Sequence, residues 1–192
     1  MASGKNGRKP KGSVAPAEEK ELNLLLTGKP GIGKTTVIMR VLEALNIPVT
    51  GFYTRELRGP KGRLGFEAVT LDGKRCTLAH VDFRSPYKVS KYGVDVATFE
   101  RVIVPSIEPH LNPKAAVIVI DEIGKMECFS ARFCEAVLRA LDSEKPVLGT
   151  ITFGGGDFIE SIKRRPDVEI ILVTMANRDS LPKVILSKLG VG

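Results

Sequence analysis

The chain has 192 residues, 43% of them hydrophobic and 27% charged, with a formal net charge of +7. That is the make-up of one globular domain with room for a sizeable core, and no apolar run approaches the ~20 residues of a membrane span. Three cysteines without a C-x-x-C pair and two distant histidines argue against a disulfide framework and against a zinc site.

Residues 1–20 are rich in Gly, Pro, Ser and Lys and set five basic side chains against two glutamates. They read as a disordered basic tail, with the folded domain spanning 21–192. The tail is a solvated extension in the favoured reading and a nucleic-acid arm in the other; nothing else in the sequence indicates nucleic acid. No apolar leader segment is present, so a cytoplasmic protein is expected. The absence of glutamine fits a thermophilic source.

Leu22–Leu26 is a short apolar run that suits a buried parallel strand. It ends at Gly28, and Gly28 to Thr35 then fits G-x-x-x-x-G-K-[ST] in full. In this loop Gly28, Lys29, Pro30, Gly31, Ile32, Gly33, Lys34, Thr35 and Thr36 are the candidate phosphate-binding residues. Glycines without Cβ let backbone N–H groups wrap phosphate oxygens, Lys34 reaches the β- and γ-phosphates, and the Thr35 hydroxyl suits Mg²⁺. A helix over Thr35–Leu45 would point its positive end at the anion. A nucleoside triphosphate is the expected ligand; no G-x-G-x-x-G supports a dinucleotide.

Val49–Thr54 reads as the second strand, and Arg55–Arg63 as a turn-rich basic loop. Gly65–Leu71 and Cys76–Ala79 flank Asp72-Gly73, the signal of an antiparallel hairpin. Residues 82–94 read as a long ordered loop, and Thr98–Leu111 as a helix bent or ended by Pro105 and Pro109. Val117–Ile120 is a central β-branched strand running into Asp121 and Glu122. Ser130 is a candidate N-cap for a helix with Cys134, Val137, Leu138 and Leu141 on one face. Pro146–Thr152 and Val168–Thr174 are further strands, and Phe158–Arg164 and Ser180–Leu189 further helices. Alternating strands and helices predict a three-layer α/β sandwich.

An acid at the end of a buried strand is what a Mg²⁺-nucleotide site needs beside its phosphate loop. Asp121 fits that metal-site role through a coordinated water, and Glu122 can orient or deprotonate an attacking water.

These pieces together resemble the THEP-type nucleoside-triphosphatase family, also called the cancer-related NTPases. The likeness rests on Gly28–Thr36, on Gly51-Phe52-Tyr53-Thr54 with Arg58, and on Arg63-x-Gly65-Phe66. It rests further on Val119–Glu127 with Phe129-Ser130, on Leu148–Ile151, and on Val173-Thr174 with Asn177-Arg178. The resemblance implies a RecA/AAA-like P-loop NTPase fold, α/β/α, with a mainly parallel sheet, an antiparallel hairpin addition, and one strand between the phosphate-loop strand and the acidic strand. It implies Mg²⁺-dependent hydrolysis of ATP, GTP, CTP and UTP to diphosphate and phosphate with loose base selectivity; slow turnover is expected from incomplete neutralisation of transition-state charge, and a monomer is expected. By position, Lys34 and Glu122 are then catalytic, Lys125 lies near the phosphates, and Arg165 matches the family's arginine before the last strand. Arg55, Arg58 and Arg63 are other cations able to approach the pocket, and Arg178 is a candidate to stack on the base. The alternatives are a nucleotide or small-molecule kinase and a nucleic-acid-linked ATPase module.

Overall fold

The computed structural model describes residues 23–60 and 62–190; the basic tail of 1–20 lies outside them. Strands β1 (Asn23–Thr27), β2 (Val49–Gly59), β3 (Gly62–Thr70), β4 (Arg75–His80), β5 (Lys88–Val89), β6 (Tyr92–Val94), β7 (Val117–Ile123), β8 (Val147–Ile151) and β9 (Val168–Leu172) form one sheet. Its order is β5-β6-β4-β3-β2-β7-β8-β1-β9. The half from β2 to β9 is parallel, and β3, β4, β6 and β5 extend it with antiparallel pairs. A single strand, β8, separates β1 from β7, as the family resemblance implied.

Helices α1 (Lys34–Ala44), α2 (Val96–Val102), α3 (Ala131–Asp142), α4 (Asp157–Lys163) and α5 (Leu181–Lys188) cover the two faces. Side-chain alternation sorts them. Leu24 and Leu26 of β1 and Val117 and Val119 of β7 pack with Val37, Ile38 and Val41 of α1 and Leu181 and Ile185 of α5. Leu25, Ile118 and Ile120 face the other way, onto Phe99 of α2, Phe133 and Val137 of α3, and Ile159 and Ile162 of α4. The central strands are buried on both faces, which is why they read as unbroken apolar runs. No helix among the described residues is long and apolar enough to cross a membrane.

Three expectations are corrected. Arg55–Arg63 is not a loop: β2 runs on to Gly59 and β3 returns from Gly62. Cross-strand ion pairs, Arg55 with Glu67 and Arg63 with Glu56, hold this charged ribbon together where apolar alternation is weak. The 82–94 stretch contains the short strands β5 and β6. On α3 the buried face is Phe133, Ala136, Val137, Ala140 and Leu141, while Leu138 turns outward. As expected, the 98–111 segment breaks at its prolines, with α2 followed by 3₁₀ turns at Val104–Ile107 and Pro109–Leu111.

Beneath the hairpin, Phe52, Phe99 and Phe133 are fully buried; Phe52 meets the other two edge to face and Phe99 is tilted against Phe133, with ring centroids 5.4 to 6.1 Å apart. Ser130 orients α3 against them, its hydroxyl accepting from the Phe133 N–H at 2.9 Å and donating to Glu100 at 2.6 Å. Phe133→Ala is expected to cost about 3–5 kcal/mol of unfolding free energy in urea titrations, and Ser130→Ala about 1 kcal/mol. A loss below 1 kcal/mol in the phenylalanine variant would show that this triad is not the centre of the core.

Candidate functional site

β1 delivers the chain to the C-terminal edge of the parallel sheet, where residues 28–33 curl before α1 begins. Gly28 is held at φ +151°, and a Cβ there would strike the Val173 carbonyl oxygen at 2.9 Å. Gly33, at φ +107°, is the N-cap of α1. It offers no side-chain oxygen, and the first turn of α1 carries no acid. The leading N–H groups of α1 therefore have no side-chain acceptor, and they face the loop that precedes them. Lys34 folds back over this loop, its Nζ donating to the Gly28 carbonyl at 3.4 Å.

Two strands away, β7 brings in the acids. Ile120 pairs with Gly149 and Ile123 with Ile151, so two β7 residues, Asp121 and Glu122, stand opposite Thr150 alone. This bulge gives neighbouring residues different tasks. Asp121 is buried and accepts from the Thr150 hydroxyl through Oδ1 at 2.6 Å. Glu122 lines a cleft of about 560 Å³ together with Gly28, Gly33, Lys34, Thr35 and Thr36. The peptide bond between the two acids is cis. The far wall of the cleft is Thr54, Arg55, Glu56, Arg63 and Phe66 of the hairpin, with Thr152 and Phe153 beyond β8.

Burial raises the pKa of both acids. For Asp121, the hydrogen bond from Thr150, the nearby Thr35 hydroxyl and the charge of Lys34 oppose that rise. For Glu122, Lys34 opposes it and the Asp121 charge adds to it. A third acid, Glu127, lies behind them. A methyl group on Gly124 would meet Glu127 Oε2 at 2.7 Å and stand 3.7 Å from Glu122 Cδ, so the two carboxyls converge over this glycine. Sequence reasoning assigned no task to Glu127 or Thr150, although both fall in the segments that carry the family resemblance.

The donor set fits a hard divalent cation. Asp121 Oδ2 is buried without a hydrogen-bond partner, close to the Thr35 hydroxyl and Lys34. An uncompensated carboxylate oxygen in such a place calls for a cation. No group of three His, Cys, Asp or Glu side chains placed to hold a metal ion by themselves occurs among the described residues. That suits Mg²⁺, which takes one or two protein oxygens and completes its shell with phosphate and water.

Other candidates separate clearly. Arg178 comes to the phosphate loop, donating from Nη1 to the Ile32 carbonyl at 3.5 Å and lining a small pocket with Gly33, Thr36 and Arg40. Asn177 is occupied with backbone, accepting from the Thr174 N–H at 2.8 Å and donating to the Leu172 carbonyl at 2.9 Å. Arg55 and Arg63 line the cleft, whereas Arg58 is exposed and pairs with Glu56. Lys125 is exposed beside a different depression, with Phe129 and Asp157, and is not among the residues lining the loop cleft.

The assignment of Arg165 to the active site is corrected. Its guanidinium is held by Asp167 at 2.7 and 2.9 Å and by Asp142 at 2.6 Å. Asn23 bonds the Asp167 carbonyl, and β9 runs parallel to β1 with Asn23 opposite Val168 and Thr27 opposite Leu172. Arg165 therefore sits at the start of these strands, a strand length of roughly 13 Å from the loop at their ends.

Residues 23–186 match the model of a family described as NTPase. The chain is 44% identical over 168 residues to the nucleoside-triphosphatase THEP1 of Thermotoga maritima, covering 88% of this chain and 95% of that one. It is 40% identical to the human cancer-related nucleoside-triphosphatase, covering 83% and 92%. The crystal structure of THEP1 from Aquifex aeolicus superposes with a TM-score of 0.80 at 36% identity, covering 88% of this chain and 99% of that one.

Glu127 is pushed up to about 8, first by burial and then by the charge of Glu122. The unfolded chain releases this proton near the ordinary value of 4.5, whereas the folded chain keeps it. The stabilising contribution is therefore complete below that value and is lost as pH rises to about 8. Glu127→Gln is expected to flatten the decline of unfolding free energy across this window, by up to about 1.4 kcal/mol per pH unit. Urea unfolding of both proteins across the window checks it; parallel declines would show that Glu127 is ionised in the folded chain.

Proposed function

The chain belongs to the NTPase family, alongside the THEP1 and cancer-related nucleoside-triphosphatases, and from that membership we propose that it hydrolyses nucleoside triphosphates to diphosphate and phosphate with Mg²⁺. The observation that carries the proposal is the meeting, in one cleft, of an uncapped helix N-terminus behind a glycine loop and a carboxylate from the next acidic strand. The loop amides of 28–36 and the start of α1 receive the phosphates, with Lys34 on the β- and γ-oxygens. Thr35 and Asp121 would hold Mg²⁺, Asp121 through a water; the bound ion would neutralise phosphate charge. Glu122 takes a proton from a water as that water's oxygen attacks the γ-phosphorus and the bridging oxygen leaves with the diphosphate. Its raised pKa makes it a better proton acceptor than a free carboxylate, and the charge of Lys34 opposes that rise.

Broad base selectivity and slow turnover belong to the same proposal. The loop, Lys34 and Asp121 contact parts common to ATP, GTP, CTP and UTP. On the Arg178 side, Asn177 is spent on backbone and Asp179 pairs with Arg40 at 3.2 Å. A guanidinium face stacks on any ring, so this side of the site favours no one base. The cleft arginines are engaged with acids, Arg55 with Glu67 and Arg63 with Glu56. With both arginines that line the cleft paired to acids, charge on the transferring phosphoryl group is incompletely neutralised and turnover is slow.

Lys34→Ala should lose nucleotide affinity and turnover together, whereas Glu122→Gln should still bind nucleotide while kcat falls by ~10²–10⁴. Phosphate release and equilibrium binding of a non-hydrolysable analogue measure both effects. Normal kinetics in either variant would sink the corresponding assignment. Across the four nucleotides, kcat/KM is expected to vary by no more than about tenfold, or ~1.4 kcal/mol. A spread beyond a hundredfold, or turnover only on adding an acceptor alcohol, would point instead to a dedicated GTPase or a kinase.

A further inference from the structure

The hairpin that walls the cleft aims one of its arginines through an irregularity in its pairing. On β2, Thr54, Glu56 and Arg58 share one face by strand alternation. β3 sets Gly65 opposite Leu57 but Arg63 opposite Arg58, so Leu64 is an extra residue between the two pairs. Without that bulge Arg63, three residues before Phe66, would face the other way. With it, Arg63 lies on the Phe66 face, its guanidinium 5.3 Å from the ring centre, and pairs with Oε1 of Glu56. Leu64 takes the opposite face, where a Cβ on Gly59 would meet its Cδ1 at 2.7 Å. Arg63, Glu56 and Phe66 thus line the same cleft as Gly28, Lys34 and Glu122.

We infer that Arg63 is the catalytic arginine of this site and that Glu56 holds it back until a triphosphate arrives, an inference that rests on the hydrolase reading above. Two features single it out from Arg55. Arg55 stands directly opposite Glu67, on the face of β2 turned away from Thr54 and Glu56. Its departure would also leave Glu67, only 16% exposed, without its arginine. Glu56 is 30% exposed and is shared by Arg58 and Arg63. Arg58 holds Oε2, its Nε donating at 2.9 Å, so Glu56 stays paired when Arg63 leaves. Exposed pairs of this kind are weak. A γ-phosphoryl group carries more charge than a carboxylate and accepts the guanidinium fork through two parallel N–H bonds. On reaching it, Arg63 supplies the counter-charge that the resting cleft withholds. Arg63 donates hydrogen bonds only; it forms no covalent bond and keeps its protons, while Glu122 takes the proton of the attacking water. Parting Arg63 from Glu56 is then one source of the slow turnover.

Phosphate release by the full chain with Mg²⁺ and ATP tests the exchange. Arg63→Ala should lower kcat by at least about tenfold. Glu56→Gln should raise it by about threefold to tenfold, because an amide holds a guanidinium less tightly than a carboxylate does. The double variant should be no faster than Arg63→Ala alone, since Glu56 acts through that arginine. A gain in rate cannot come from a failure to fold. Equilibrium binding gives a readout apart from turnover, comparing ADP with Mg²⁺ and aluminium fluoride, a mimic of the phosphoryl group in transfer, against a non-hydrolysable triphosphate. Arg63→Ala should weaken the first by at least about tenfold and the second by less than about threefold. The inference is overturned if Glu56→Gln is no faster than the parent chain or if its gain survives in the double variant. It is equally overturned if Arg63→Ala keeps the parental rate while Lys34→Ala loses it. Failure of the hydrolase reading looks different: the parent chain and Lys34→Ala would release phosphate at the same background rate, and the arginine assignment would fall with it.

Discussion

One parallel strand, β8, lies between β1 and β7, and the site depends on that interval. Neighbouring strands are about 4.8 Å apart, so the phosphate loop and the acidic pair are about 10 Å apart across the sheet. On the proposed function, phosphate groups and a hydrated cation would fill a gap of that size. β8 also does more than space the two. Its Gly149 lets Ile120 approach closely, where a Cβ would meet the Ile120 carbonyl oxygen at 2.3 Å. Thr150 then answers one Asp121 oxygen and leaves the other without a partner.

The electrostatics follow from that arrangement. Three carboxyls, Asp121, Glu122 and Glu127, are withdrawn from water within one turn of chain, and the cation that counters Asp121 and Glu122 is Lys34. Burial raises all three, which means that the folded chain resists holding them all ionised. Such a cluster is poor for stability and apt for function, since an incoming cation relieves it and a basic carboxylate within it accepts protons. The uncapped N-terminus of α1 is its counterpart of opposite sign. On the proposed function, nucleotide and metal together would satisfy both, whereas either one alone would leave an imbalance.

The hairpin β2–β3 gives the cleft its far wall by different means. Its outer half has little apolar surface to bury and is held by arginine–carboxylate pairs, with Arg63 also lying 5.3 Å from the centre of the Phe66 ring. Exposed pairs of this kind contribute little individually. The hairpin root is different, because Phe52 anchors it in the aromatic triad. The wall is thus firm where it meets the sheet and held mainly by charge pairs toward its tip.

The sequence by itself determined whatever depends on near neighbours. Strand, glycine loop and helix at Asn23–Ala44 are a local pattern, and the β-branched run into Asp121 and Glu122 is another. The Ser130 cap and the breaks at Pro105 and Pro109 were legible for the same reason: each acts within a few residues. The tertiary structure decided what depends on distant partners. Arg165 follows a helix and precedes a strand, as an active-site arginine can, yet the direction of β9 carries it to the other end of the sheet. The ribbon from Arg55 to Gly59 looked like a loop because its partners, Glu67 and the β3 backbone, come later in the chain. The bulge opposite Thr150 depends on register with β8, and the one that turns Arg63 to the cleft on register with β2. Periodicity and composition report which face a residue prefers, whereas register and strand direction decide what it finally touches.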